Sequence, residues 1–194
     1  MMEGARCPFR GIMTRIGPLS SEEFNTLLVE HMQPLYNLAL WLCKDSHQAS
    51  DLAQETLLKA LRARESFQGG TNLKAWLFTI LRNCFINILK RRGKEESFDF
   101  EVENAGEVES GPGTAYGELP PFLMRSDIDR ALEKLPGGWR FLILMVDLEG
   151  LSLAEAAAVL GVPVGTVKSR LFRARMILSR QLRDYRVSGR GDGP

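Results

Sequence analysis

The chain has 194 residues, 44% of them hydrophobic and 25% charged, which is enough for one or two domains with a packed core. No apolar run reaches the length of a membrane span, and the first twenty residues lack a secretory signal's apolar stretch, so a membrane-inserted or secreted class is not expected. The net charge of +1 argues against a uniformly basic or acidic protein, but it averages over strongly segregated segments.

Residues 1–18 mix Met1, Met2 and Met13 with Gly, Pro and Arg and show no periodicity, so a disordered start is expected, with Met13 an alternative initiator. Ser20 and Glu23 form a capping box that predicts a helix with Phe24, Leu27, Leu28 and Met32 on one face. Pro34 should break or kink it, and Leu35, Leu38, Ala39 and Leu42 carry a second run to about Cys43. A third helix is predicted over 48–64, burying Ala49, Leu52, Ala53, Leu57, Ala60 and Leu61. Its other side holds Asp51, Gln54, Glu55, Leu58 and Arg62, and an apolar Leu58 among charges points to a protein contact.

Phe67-Gln-Gly-Gly-Thr-Asn72 has the composition of a loop, with Thr71 or Asn72 able to cap the next helix. That fourth helix is predicted over 73–92, burying Leu77, Ile80, Leu81, Cys84 and Ile88, with Trp76 and Asn83 stacked on its flank. From Lys74 to Lys94 there are six basic residues and no acidic one. Gly69, Gly70 and Asn72 beside Trp76, Asn83 and the cations Arg82, Lys90, Arg91 and Arg92 supply what capture of an unstacked base needs. Glycines let a backbone approach closely, an amide reads a base edge, and cations hold phosphates. A core-facing Trp76 and a solvated basic helix end fit the same residues.

Residues 95–122 carry eight acids between Glu95 and Glu118 with no base, plus Gly111-Pro112-Gly113 and Pro120-Pro121, and read as a flexible acidic linker. Helices are predicted near 126–135 and 139–148. A second capping box, Ser152 with Glu155, opens a helix to Leu160, where Gly161 can turn the chain into a longer helix from about Val164 to Tyr185. Two helices joined by a tight, Gly-containing turn read as a helix-turn-helix, whose second helix enters the DNA major groove. On that helix Val167, Leu171, Ala174 and Leu178 form a packing stripe, and Gly165, Ser169, Phe172, Arg173 and Met176 lie opposite. Phenylalanine beside arginine on the outward face suits base reading, while Lys168, Arg170 and Arg175 flank the stripe as phosphate-holding residues would. An amphipathic basic helix on any helical bundle would share this pattern. The Gly-rich tail, 188–194, is expected to be disordered.

The expected fold is therefore all-α, with helical domains at 19–94 and 123–187 joined by the linker 95–122. Cys7, Cys43 and Cys84 are odd in number and lack a CxxC spacing, which favours a reducing cytosol and small core residues over disulfides. Cys43 and His47 lie one helical turn apart, but two ligands do not make a metal site. His31 and His47 are the only histidines, and no carboxylate cluster or GxSxG nucleophile occurs, so neither an enzyme nor a cofactor is expected.

Four motifs in this order resemble the extracytoplasmic-function sigma factors, the smallest members of the sigma-70 family of bacterial RNA polymerase. They are DLAQETLLKALRA (Asp51 to Ala63), F-x-G-x-x-N-L-K-A-W-L-F-T-I-L-R-N (Phe67 to Asn83), L-P-x-x-x-R-x-x-x-L-x-x-x-x-E-G-L-S (Leu135 to Ser152) and P-V-G-T-V-K-S-R-L-F-R-A-R (Pro163 to Arg175). The resemblance covers about Glu22 to Arg92 and Ile128 to Leu182. It implies a cytoplasmic initiation factor that binds core polymerase through the beta-prime clamp and the beta subunit, reads two promoter elements and stabilises strand opening, often under stress. Asp51, Gln54, Glu55, Leu58 and Arg62 would meet the clamp. Gly69, Gly70, Asn72, Trp76, Arg82, Asn83, Lys90, Arg91 and Arg92 would hold the downstream element and melted strand. Ser169, Phe172 and Arg173 would read the upstream element, with Thr166, Lys168 and Arg170 on phosphates. Pro163 stands where many members place a capping Ser or Asp, which leaves helix amides available to a phosphate. An anti-sigma factor is an implied partner. A stand-alone helix-turn-helix regulator is the alternative, and a sigma mimic that sequesters a regulator is disfavoured by the intact DNA-facing residues.

Overall fold

A computed structural model describes residues 20–67, 72–93 and 125–188. The expectations for the N-terminal segment, for Gly69, Gly70 and Thr71, for the acidic linker and for the tail beyond Ser188 lie outside those residues. Among the described residues there are helices and no strand.

The first domain contains α1 (Ser21–Glu30), α2 (Met32–Cys43), α3 (Ser46–Arg62) and α4 (Leu73–Arg91), with a single 3-10 turn at Arg64–Ser66. The Ser20 capping box is formed: Glu23 N donates to Ser20 Oγ at 3.2 Å, and Ser20 N donates to Glu23 Oε2 at 2.8 Å. The break expected at Pro34 falls at His31 instead, and Pro34 sits in the first turn of α2, where its missing N–H leaves no hydrogen bond unmade. Asp45 caps α3 and Asn72 caps α4 through their side-chain oxygens.

Core membership departs from the predicted stripes in three places, the first being Met32, which is 48% exposed at the start of α2. On α3, Leu61 is 43% exposed, while Thr56 is fully buried with its hydroxyl donating to Leu52 O at 2.7 Å, so the polar group is satisfied inside its own helix. On α4, Ile80 and Ile88 are only half-buried, whereas Leu73, Ala75, Trp76, Leu77, Phe78, Leu81, Cys84, Phe85 and Leu89 are buried. A one-face stripe assumes a solvent side. Here α2 and α3 pack on α4 from its own domain and α7 packs on it from the other.

The second domain contains α5 (Arg125–Glu133), α6 (Gly137–Ile143), α7 (Leu153–Leu160) and α8 (Val164–Ser188). Arg140 ties α6 to the end of α5: its Nε donates to Leu132 O at 2.9 Å and its Nη2 to Glu133 O and Leu135 O. Leu132 O and Glu133 O are carbonyls of the last turn of α5, where helix carbonyls lack a partner further along the helix, and Leu135 O follows just beyond it. α6 continues into one π turn, Leu144–Leu148, closed by Glu149 N donating to Leu144 O at 3.0 Å. The extra residue of a π turn rotates the downstream side chains by about 100° relative to a regular helix. The capping box of α7 is formed as expected, and Gly161 ends it at φ +69, a left-handed conformation that a Cβ would strain.

The two domains are packed together, and their buried apolar side chains form one continuous cluster. Polar contacts also cross the junction. Asn72 Nδ2 donates to Glu155 Oε1 at 2.7 Å, Lys74 Nζ lies 2.6 Å from Glu149 Oε2, and Lys44 Nζ lies 3.4 Å from Glu133 Oε1.

Leu81 is fully buried at the centre of the first core, so Leu81→Ala should cost about 2–5 kcal/mol, read as a lower urea midpoint at unchanged slope. Burial pushes the Cys43 thiol up to about 11 and raises Cys84 as well, although Lys59 Nζ donates to the Cys84 sulfur at 3.3 Å. Little thiolate is then present at neutral pH. Iodoacetamide should therefore leave both cysteines unmodified in the native protein and modify both in denaturant, as followed by mass spectrometry.

Candidate polymerase and promoter interfaces

Three surfaces collect the residues picked out from the sequence. The first is the outer side of α3, where Asp51, Gln54, Glu55, Leu58 and Arg62 are all exposed. Leu58 is 54% exposed, and the exposed Leu61 adds a second apolar group that the sequence pattern had assigned to the core. Glu55 pairs with Lys59 at 2.8 Å, and Gln54 Nε2 donates to Ser50 Oγ at 3.1 Å, so the polar residues are held along the helix. Apolar groups ringed by ordered charges form a surface suited to a protein partner.

The second surface surrounds α4. Asn83, Lys90, Arg91 and Arg92 are exposed, Arg82 is partly buried, and Asn72 is exposed at the helix start. Trp76 departs from the expectation. It is 6% exposed and sits in an aromatic cluster, 5.3 Å from Phe67 and 6.3 Å edge-on from Phe24 between ring centroids. In this conformation it offers no stacking face. Its ring instead packs on Phe67, with the two rings tilted against each other.

The third surface is α8. Val167, Leu171 and Ala174 are buried and Leu178 is half-buried, as the predicted stripe requires. Gly165, Lys168 and Ser169 are exposed, and Thr166, Arg170, Phe172, Arg173 and Met176 are partly so. Pro163 O accepts from Val167 N at 3.2 Å. Ser169 Oγ donates to Thr166 O at 3.0 Å, a local bond that a base edge could replace. Arg175, one of the flanking cations, is held by its own domain. Its guanidinium forms a two-pronged pair with Asp147 of the π turn, with Nε donating to Oδ2 at 3.1 Å and Nη2 to Oδ1. Arg175 therefore orients α8 against its own domain, and Asp147 takes the place expected of a phosphate.

Among the described residues no group of three or more His, Cys, Asp or Glu is placed to hold a metal ion. Among them, too, no helix is long and apolar enough to cross a membrane.

The family models for Sigma-70 region 2 and Sigma-70 region 4 match residues 27–95 and 125–178. The ECF RNA polymerase sigma factor EcfG of Rhodopseudomonas palustris is 44% identical over 142 residues, covering 73% of this chain and 75% of that protein. The ECF RNA polymerase sigma-E factor of Escherichia coli K12 is 34% identical over 170 residues, covering 84% and 88%. Among solved structures, the sigma factor RpoE in complex with the anti-sigma factor NepR from Bartonella quintana matches with a TM-score of 0.65 at 37% identity, covering 84% of this chain and 98% of that one. CnrH in complex with the cytosolic domain of CnrY matches with a TM-score of 0.61 at 26% identity, covering 85% and 90%. With both sigma regions matched in order and relatives this similar over most of their length, the chain belongs to the extracytoplasmic-function sigma factors of the sigma-70 family.

Proposed function

We propose that this chain directs bacterial core RNA polymerase to a specific set of promoters in the cytoplasm, through two DNA-reading heads and one polymerase-docking helix. The observation that carries the reading is the division of α8: Val167, Leu171 and Ala174 are spent on the core, which leaves Ser169, Phe172 and Arg173 together on the outer face. Arginine can form two hydrogen bonds to a guanine edge, and an aromatic side chain can pack on a thymine methyl. Lys168 and Thr166, with Arg170 beside them, would grip the flanking phosphates.

In the first domain the outer side of α3, with Asp51, Gln54, Glu55, Leu58, Leu61 and Arg62, would dock on the beta-prime clamp. Asn72, Asn83 and the glycines Gly69 and Gly70 would receive a base flipped from the opened strand, while Arg82, Lys90, Arg91 and Arg92 follow the backbone. Trp76 supports this site from beneath by holding Phe67, and is not itself proposed to stack on the base. Base capture offsets part of the cost of unpairing, so no covalent step by this chain is needed. The linker from Glu95 to Pro121 can span at most roughly 90 Å, long enough for the domains to reach separated elements. The likeness to a sigma factor solved with an anti-sigma factor supports such a protein as the regulator here.

Purified protein added to bacterial core polymerase should give promoter-dependent transcripts from a genomic template library; silence on every template would sink the reading. A stand-alone regulator would instead bind duplex DNA tightly and specifically without polymerase. Within the holoenzyme, Arg173→Ala should relax discrimination at one upstream position, at a cost of about 1–3 kcal/mol for the preferred base. Lys168→Ala should weaken all sequences about equally and reduce the salt slope by about one. Equal, sequence-independent losses for both would remove the division between base reader and phosphate holder.

A further inference from the structure

Helix α8 runs without a break from Val164 to Ser188, whereas the match to Sigma-70 region 4 ends at residue 178. The helix therefore continues past the part that the family describes. Up to that point it is held to its own domain, with Val167, Leu171 and Ala174 buried and Ile177 and Leu178 packed, half-buried, on the same core. Helix α5 lies against it as well. The fold thus sets the direction in which the next side chains leave the helix.

At about 100° per residue, seven residues return a side chain to within about 20° of the same side. Arg180 follows Arg173 by that interval and shares a face with Arg173 and Ser169. It is exposed, while every other residue from 171 to 182 is buried or half-buried. Arg175, the other cation on this stretch, is turned away from DNA. It stands on the side of Lys168 and is held by Asp147, its Nε donating to Oδ2 at 3.1 Å and its Nη2 to Oδ1. Among the described side chains of α8, the cation left beyond Arg173 is Arg180.

Spacing decides what Arg180 can touch. A rise of about 1.5 Å per residue puts it about 10.5 Å past Arg173 and about 16.5 Å past Ser169 along the helix axis. The major groove is about 12 Å wide. A straight helix that reads bases with its N-terminal turns leaves the groove within about that distance. With Ser169 and Arg173 at base edges, Arg180 then meets the sugar-phosphate wall.

We propose that Arg180 is a phosphate contact of the upstream element, gripping the backbone beyond the bases that Ser169 and Arg173 read, in the role that the sequence pattern gives to Arg175. The assignment rests on the major-groove reading of α8 under the proposed function. A cation at this distance carries no sequence information, but it fixes how far and at what angle the reading face enters the groove.

The test is a backbone scan of holoenzyme on a promoter that it transcribes, with the phosphates of the upstream element replaced one at a time by neutral methylphosphonates. The parent protein should lose affinity at a phosphate outside the base pairs where Arg173→Ala relaxes discrimination. Arg180→Ala should erase that loss, lower the salt slope by about 0.9 and leave base discrimination intact. Arg180→Lys keeps the charge and should restore both the loss and the slope. Arg130→Ala removes an exposed cation from α5 and should behave as the parent does. A scan and slope unchanged by Arg180→Ala, while Arg173→Ala still relaxes discrimination, overturn this contact and leave the groove reading standing. A loss erased by Arg175→Ala instead also overturns it, and gives the phosphate to an Arg175 released from Asp147. If Arg173→Ala leaves discrimination intact, or no promoter is transcribed, the groove reading falls and the contact falls with it.

Discussion

Helix α4 sets the terms for the rest of the molecule, because its first half cannot tolerate water on any broad side. Leu73, Ala75, Trp76, Leu77 and Phe78 project around most of its circumference, and all are buried. Each large apolar side chain fully removed from water contributes about 1.5–3 kcal/mol before entropy is counted, so leaving one side of this helix exposed would forfeit several such contributions. The first domain supplies cover from α2 and α3, and α7 of the second supplies another side. Domain packing is thus built into the helix that also carries the basic residues and Asn72.

Placing chemistry on such a helix has a consequence for electrostatics. Lys74 and Asn72 stand where the two domains meet and partner acids of the second domain, while Lys90, Arg91 and Arg92 are exposed at the far end of α4. The same basic run is therefore divided into a covered head and an open tail. The charge segregation along the chain has its counterpart in space only after this division is made.

The second domain solves a different problem, that of holding a short bundle rigid enough to aim α8. Arg140 satisfies the terminal carbonyls of α5, the Ser152 box and Gly161 set the ends of α7, and Asp147 grips Arg175 from the π turn. None of these contacts uses Ser169, Phe172 or Arg173. The scaffold and the reading face are carried by different residues of the same helix, which lets the outer face vary without loss of the bundle.

The sequence by itself determined what depends on near neighbours. Both capping boxes, the Asn72 cap, the left-handed Gly161 and the buried stripe Val167–Leu171–Ala174 come from spacings of three or four residues, and each is present in the structure. The exposure of Leu58 was legible for the same reason, since charges flank it within one turn. Tertiary structure decided what depends on partners far along the chain. Trp76 lies in the core because Phe24 and Phe67 converge on it, and on α3 the polar Thr56 is buried while Leu61 is 43% exposed. Arg175 is bound inward because a π turn presents Asp147, and Lys74 and Asn72 meet carboxylates some eighty residues away. Periodicity assigns a side of a helix to the core or to solvent, but it carries no information on which element covers that side. That choice belongs to packing, and here packing placed an acidic turn of one DNA-reading domain against the head of the other.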